Sequence, residues 1–342
     1  MAISGAAGLV GERLVSALVA RDDVERVVGL DIKEPARRFS ALEFHRVDVV
    51  SSDLKPILED VDVVVHLAAM VDPIPDEALM ARVNVEGTRR VLEAATGARK
   101  VVHVSPSSVY GAWPNNPTPL TEDAPLRPNP GFSPAIQGAE VERIIREWAD
   151  DHPQVAVATL RAAPVVGPGA ERLPSRLLLG HPPLRVRGAA PPVQALHVDD
   201  LVRALVLVVT TDLVGTHNVA PDGWLTADDA AALVGRTVVP PLPAEVLERA
   251  LGRTWTSGVG DIPPGVVPYL VHPWVVANDR LRAAGWAPEH TNEEAIVEGL
   301  DALEPSERSK LAWALAIGGS LAVASGAAAG WLLRRRAHRG RR

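Results

Sequence analysis

Three glycines at three-residue spacing, Gly5-Ala-Ala-Gly8-Leu-Val-Gly11, follow a short apolar start and open a helical pattern. Few strand-to-helix turns tolerate so little side chain. Gly5 permits a tight turn, Gly8 leaves the backbone bare where a phosphate would approach, and Gly11 lets the helix pack closely on its strand. The helix then starts with free N–H groups and the positive end of its dipole facing the same point. Glycines alone would suit any strand–helix turn. The run Val27-Val-Gly-Leu-Asp31 narrows the reading, because it ends in a carboxylate twenty residues past Gly11. There an acid takes the ribose hydroxyls of a dinucleotide, which favours NAD over NADP.

The rest of the chain alternates strand and helix. Leu9 to Ala20 has apolar residues at helical spacing, and Val24 to Leu30 reads as a buried strand. Phe44 to Val49, Val61 to Ala69, Lys100 to Ser105 and Val155 to Arg161 read as further strands, with a helix expected over Leu79 to Ala95. This period predicts an α/β fold: a Rossmann-type, doubly wound parallel sheet whose strand ends share one ligand-binding edge. Trp113 to Pro134 is dense in Pro and Asn and reads as a long loop. A helix follows, with Ser133 expected as N-cap and Pro134 at its first position. The expected division is an NAD-binding domain over 1–165 and a smaller mixed α/β substrate domain over 166–304, interleaved with the first. Val193-Gln-Ala-Leu-His-Val and Gly215-Thr-His-Asn-Val are assigned to the smaller domain.

Composition removes several alternatives. The chain has no cysteine, which excludes disulfides, thiolate metal sites and a cysteine nucleophile. Its formal charge is −7 although six arginines stand in the last nine residues, so the folded part is acidic and is expected to ignore nucleic acid. Met1 to Ser4 is too short for a targeting segment, so none is expected ahead of the first strand, although the true start could lie upstream. No group of His, Asp and Glu shows metal-ligand spacing, and no metal is expected.

Residues 311–333 differ in kind. These 23 residues carry no charge, Trp313 and Trp331 sit near the two ends, and the arginine-rich tail 334–342 follows. The length suits a transmembrane helix, and the tryptophans suit the two interfaces. Gly326-Ala-Ala-Ala-Gly330 would allow close helix approach and a homodimer contact. The expectation is a membrane protein with a cytoplasmic globular part; the side on which the tail lies is left open.

In order along the chain stand the glycine turn, Asp48-Val49, His66-Leu-Ala-Ala69, Asn84-Val-Glu-Gly-Thr88, Val109-Tyr-Gly111, Leu160-Arg161, Val166-Gly-Pro-Gly169 and His197-Val-Asp-Asp200. In this order they resemble the extended short-chain dehydrogenase/reductase family, the NAD-dependent epimerases and dehydratases of nucleotide sugars. The resemblance runs from Gly5 to about Leu303. It implies a cofactor site of Gly5, Ala7, Gly8, Leu9, Val10 and Gly11 in the turn, with Asp31 and Ile32 after the second strand. Asp48, Val49, Leu67, Ala68, Ala69, Asn84 and Ser105 complete it. It also implies a small-molecule partner such as a nucleotide sugar.

The family's chemistry uses a tyrosine to move a proton to or from a substrate oxygen. A lysine four residues later lowers the tyrosine's pKa, and a serine or threonine orients the substrate. Tyrosine near its free pKa of about 10 is a poor base at neutral pH without that positive charge. Here Pro134 stands at the tyrosine position, Gly138 at the lysine position and Pro106 at the serine position. The chain has two tyrosines, Tyr110 and Tyr269, each followed four residues later by proline, and four lysines, none paired with either. Ser105, Ser107 and Tyr110 are left as weak catalytic candidates. His66, His103 and His197 read as satisfied core histidines, and Asp199 and Asp200 as a solvated helix N-cap and first-turn acid. Two readings follow. One is a membrane-anchored, non-catalytic NAD(H)-binding sensor or scaffold; the other is an active epimerase, dehydratase or reductase with a non-standard proton donor.

Overall fold

The computed structural model describes residues 1–170, 172–179, 184–235 and 240–303. Strand β1 (Ala2–Ser4) leads through the glycine turn into helix α1 (Leu9–Val19), followed by β2 (Val27–Asp31), β3 (Leu42–Arg46) and the short α2 (Lys55–Leu58). Next come β4 (Val63–His66), α3 (Glu77–Ala81), a π-helical turn Arg82–Glu86 and α4 (Gly87–Ala94). Then follow β5 (Lys100–Pro106), a 3₁₀ turn Ser107–Tyr110, the long α5 (Ser133–Asp151) and β6 (Ala156–Ala162). The remaining chain holds β7 (Val165–Val166), α6 (Leu173–Leu179), β8 (Leu196–His197), α7 (Val198–Thr210) and β9 (Gly215–Val219). It ends with α8 (Ala227–Val234), α9 (Ala244–Thr256), a 3₁₀ segment Pro264–Leu270, α10 (Asp279–Ala283) and α11 (Asn292–Ala302).

Seven strands form one sheet in the order β3-β2-β1-β4-β5-β6-β9, every pair parallel. The order reverses at β1, so the crevice beyond β1 and β4 is the topological switch point at which such sheets hold ligands. Alternation along each strand divides the core. Val63, Val65 and Val102 face α1 and α7 with Leu14, Leu18, Leu201 and Leu205; Val64 and Val101 face α4 and α5 with Leu92, Val141 and Ile144. Each fully buried side chain of this size contributes about 1.5–3 kcal/mol, which makes the β1–β4–β5 centre the rigid part of the molecule.

Several expectations change at this level. Gly215–Val219 does not belong to a smaller domain: it is β9, the seventh strand, paired parallel to β6. A five-residue strand carries nothing that says which neighbour it takes. Likewise Val193 makes only an isolated bridge with Leu225, and the strand begins at Leu196. The single helix expected over 79–95 is broken by the π turn, inside which Asn84 is turned inward and buried. Strand β3 ends at Arg46, leaving Asp48 in a turn, and β4 ends at His66, leaving Leu67–Ala69 irregular.

Ser133 is not the N-cap of α5. That position is Phe132, which makes no capping bond, and the Ser133 hydroxyl instead donates to Glu77 Oε1 at 2.6 Å. Among the described residues no helix is long and apolar enough to cross a membrane. The expected transmembrane helix 311–333 and the tail 334–342 lie outside the described residues.

Candidate functional site

The glycine turn is built as its spacing requires. Gly5 adopts φ +76°, and a Cβ there would come within 2.7 Å of the Leu67 and Ala68 backbone; at Gly11 it would meet Gly5 O at 2.1 Å. Gly8 is the N-cap of α1 and makes no side-chain capping bond, so the first N–H groups of the helix face a cavity of about 410 Å³. Gly5, Gly8, Leu9, Val10 and Gly11 line it on one side, with Leu67, Ala68 and Ala69 from the end of β4. Asn84, Ser105 and Ser107 also line it.

Asn84 is held rigidly. Its amide oxygen accepts from Met70 N at 2.7 Å, and its Nδ2 donates to Met70 O and to Gln137 Oε1. Ala7, Asp31, Ile32, Asp48 and Val49 lie outside this cavity, along the edge formed by β1, β2 and β3. There Asp31 Oδ2 accepts from Ala7 N at 2.9 Å and Ile32 is 65% exposed. Asp48 accepts from Val50 N and from the Ser51 hydroxyl within its own turn, and Val49 packs under Gly87.

Pro106, Pro134 and Gly138 come together on the cavity wall. Among the described residues no lysine lines this cavity. Lys100, the lysine nearest in sequence, is buried at the far end of β5, where it donates to Val208 O and Thr211 O at 2.6 and 2.8 Å. Tyr110, a weak catalytic candidate, is removed from the cavity. Its hydroxyl donates to Asn218 Oδ1 at 2.8 Å and accepts from Arg161 Nη1 at 2.7 Å, while Arg161 pairs with Glu142 at 2.6 Å. This buried group ties β6, α5 and β9 together; burial raises the Tyr110 pKa, the opposite of what a base requires. Tyr269 does line the cavity, but its hydroxyl donates to Ser108 O at 2.8 Å and burial raises its pKa as well.

Two histidines stack beneath the strand ends, His66 on β4 and His103 beside it on β5, with ring centroids 5.8 Å apart. Thr88 Oγ1 donates to Asn84 O, so His66 Nε2 donates to Thr88 and its Nδ1 accepts from the Ser4 hydroxyl at 2.7 Å. This is the satisfied core histidine expected. Burial, and second the charge of His103, push its pKa down to about 3. His103 differs: burial pushes it to about 4, and its Nδ1 has no partner, nor has the buried Ser105 Oγ. Both atoms belong to cavity-lining residues.

A second cluster was not visible as a spacing. His197, His290 and Glu298, from β8, the loop before α11 and α11, bring one ligand atom each within 4.8 Å of the others. His197 is the N-cap of α7, its Nδ1 accepting from Asp199 N, so Nε2 carries the proton; it lies 3.2 Å from Glu298 Oε2 but makes no hydrogen bond. The His197 and His290 rings stack face to face with centroids 3.8 Å apart. Asp200 is not solvated as expected. It is fully buried and accepts from Glu289 N and His290 N at 2.8 and 3.0 Å. Its partners lie about ninety residues away, so first-turn position alone could not show its burial.

The model of the NAD dependent epimerase/dehydratase family matches residues 1–220. The chain belongs to that family. NAD is the cofactor of the family, and the bare Gly8, the uncapped start of α1 and the carboxylate of Asp31 fit it. A Streptomyces protein named 3-diazoavenalumate denitrifying reductase is 33% identical over 320 residues, 84% of this chain and 95% of its own length. An uncharacterized protein of Mycobacterium tuberculosis is 30% identical over 254 residues, 70% of this chain, and the chain spans 66% of that relative's length. The UDP-glucose 4-epimerase of Thermus thermophilus, solved with NAD, superposes with a TM-score of 0.68 at 22% identity, over 88% of this chain and 97% of that one. At that identity the family's fold is what the two share.

Proposed function

We propose that the protein holds NAD(H) at the ends of β1, β4 and β5 and serves hydride transfer without the tyrosine-mediated proton transfer of an epimerase or dehydratase. It is a reductase-like member of its family. The observation that carries this reading is that Pro106, Pro134 and Gly138 meet on the wall of the cavity into which the glycine turn opens. NAD(H), when bound, supplies or accepts the hydride. An epimerase must also take a proton from a sugar hydroxyl as hydride leaves, and loss of such a general base costs roughly 10²–10⁴ in rate. Reduction of an electrophile that needs no proton from the protein at the hydride step is spared that loss. The Streptomyces relative, a reductase by name, supports the reading.

A second reading is a non-catalytic NAD(H)-binding sensor or scaffold, favoured by the loss of all three groups together. The two separate in one experiment on the full chain in detergent. NADH is titrated by nicotinamide fluorescence, and its oxidation is then followed with a panel of enals and aryl diazo compounds. Oxidation by one of them is expected. Binding without oxidation by any leaves the sensor, and epimerisation of UDP-glucose would refute the absence of proton transfer.

We further propose that residues 311–333 tether the chain to a membrane with the globular part in the cytoplasm. The uncharged 23-residue run, its two tryptophans and the following arginines support this. Fused to a soluble reporter, residues 311–342 are expected to carry it into the membrane fraction; a reporter that stays in the supernatant removes the tether.

A further inference from the structure

Away from the strand ends, the cavity runs into a chamber between α6, the segment 184–194 and the 3₁₀ segment Pro264–Leu270. Its wall is apolar: Phe132, Leu173, Leu177, Val186, Tyr269 and Trp274 all face it. The chain has only three Phe and two Tyr, yet an aromatic group is assembled here. The Phe132 and Tyr269 centroids are 5.0 Å apart, and Tyr269 and Trp274 meet edge to face at 5.1 Å. Such an arrangement offers both faces and edges to a planar ring.

The polar groups around this wall are already engaged. Tyr269 Oη donates to Ser108 O, Trp274 Nε1 to Tyr269 O, and Gln194 is bonded through both ends of its amide to Val276 and Gly223. At the rim, Arg172 donates through one guanidinium nitrogen to Asp72 at 3.1 Å and Arg185 through one to Asp228 at 2.6 Å. A sugar ring seated against this wall would bring donors and acceptors to Tyr269, Trp274 and Gln194, whose polar atoms are already bonded, and each polar atom taken from water without a partner weakens binding. At the other end of the cavity its wall is formed by residues of β5, His103 and Ser105 among them, whose Nδ1 and Oγ are buried without a partner and closed to the cavity.

We infer that the ligand of this chamber is an aromatic or otherwise apolar small molecule whose ring packs on Phe132, Tyr269 and Trp274, and not a nucleotide sugar. This rests on the reading of the cavity as the place where NAD(H) meets a second molecule. The wall selects the body of the ligand by burial of apolar area, which rewards a flat ring and penalises a phosphate.

The test uses the full chain in detergent. NADH is titrated first and alone; failure to bind it would overturn the function proposed above, and this inference with it. With NADH saturating, cinnamate, 4-hydroxycinnamate, UDP-glucose and UDP-glucuronate are titrated by calorimetry. The expected result is that a cinnamate binds at least tenfold more tightly than either nucleotide sugar. L177R and W274A should each weaken cinnamate at least tenfold while NADH affinity stays within twofold, and L177M should bind cinnamate as the unaltered protein does. A nucleotide sugar binding as tightly as the cinnamates overturns the inference. So does NADH binding with none of the four ligands bound, or an L177R protein that folds and still binds cinnamate.

Discussion

Gly138, in the second turn of α5, lies against Pro106 at the end of β5. A Cβ at 138 would come within 3.3 Å of the proline ring and 2.9 Å of Val109 Cγ1. Two positions that the resemblance aligns with the family's lysine and serine therefore lie against each other, and a side chain at 138 would have to displace Val109 and Pro106.

Gly138→Lys is accordingly expected to destabilise the protein by about 1–3 kcal/mol, the usual cost of forcing volume into a packed region. It should not restore epimerase chemistry even together with Pro134→Tyr. Urea unfolding and a UDP-glucose epimerisation assay check both parts. An undiminished unfolding midpoint with sugar turnover in the double variant would contradict the packing argument.

Asp31 stands at the end of β2 with one carboxylate oxygen taken by Ala7 N at 2.9 Å. The proposed NAD(H) site gives it the ribose hydroxyls of the cofactor as further partners. Replacing it with alanine removes charge-assisted bonds of about 1.5–3 kcal/mol, or roughly ten- to a hundredfold in affinity. NADH affinity is expected to fall by that factor and NADPH affinity to fall less, since a 2′-phosphate no longer meets a carboxylate. Fluorescence titration of the two nucleotides decides it; equal losses would place the ribose elsewhere.

Tyr110 and Glu142 should separate structure from chemistry. Tyr110→Phe deletes a hydroxyl that bonds Asn218 and Arg161 and is expected to cost about 1–2 kcal/mol of stability, with NADH affinity unchanged. Glu142→Ala strands the buried Arg161 guanidinium and should cost about 3–5 kcal/mol. Thermal unfolding ranks the two, and a Tyr110→Phe protein that loses cofactor binding would return that tyrosine to the site.

Acid should weaken the fold well above the carboxylate range. In the unfolded chain His66 and His103 take up protons near pH 6.5, while in the folded protein burial holds them to about 3 and about 4. The unfolded state therefore binds more protons below pH 6.5, and stability falls as the pH falls through that window. At pH 5 the loss is about 2 kcal/mol per histidine relative to neutral pH. Urea midpoints at pH 7 and pH 5 measure it. His103→Phe should remove close to half of the difference, and an unchanged difference would assign it to other groups.

Much of the fold was legible because buried parallel strands and amphipathic helices write their period locally. The β1–α1–β2 unit, β5 and β6 fall within a few residues of where their patterns place them. The π turn was not legible, because apolar spacing from Leu79 to Ala95 continues through it while the backbone gains a residue at Asn84. Strand β9 was misassigned since pairing with β6 depends on α7 bringing the chain back across the sheet. Asp200, His290 and Glu298 were hidden for the same reason: a side chain's partner ninety residues away leaves no mark on its neighbours.

What the sequence determined by itself is therefore chemical and local. It shows the bare turn at Gly5, Gly8 and Gly11, the acid at Asp31, and the absence of any tyrosine–lysine pair, none of which needs a partner to be read. Only the tertiary structure decided that Pro106 and Gly138 fill each other's space, that Tyr110 is sealed behind Arg161, and that Phe132, Tyr269 and Trp274 form one apolar wall. Those facts depend on burial and contact between segments far apart in the chain, and contact is a property of the packed molecule.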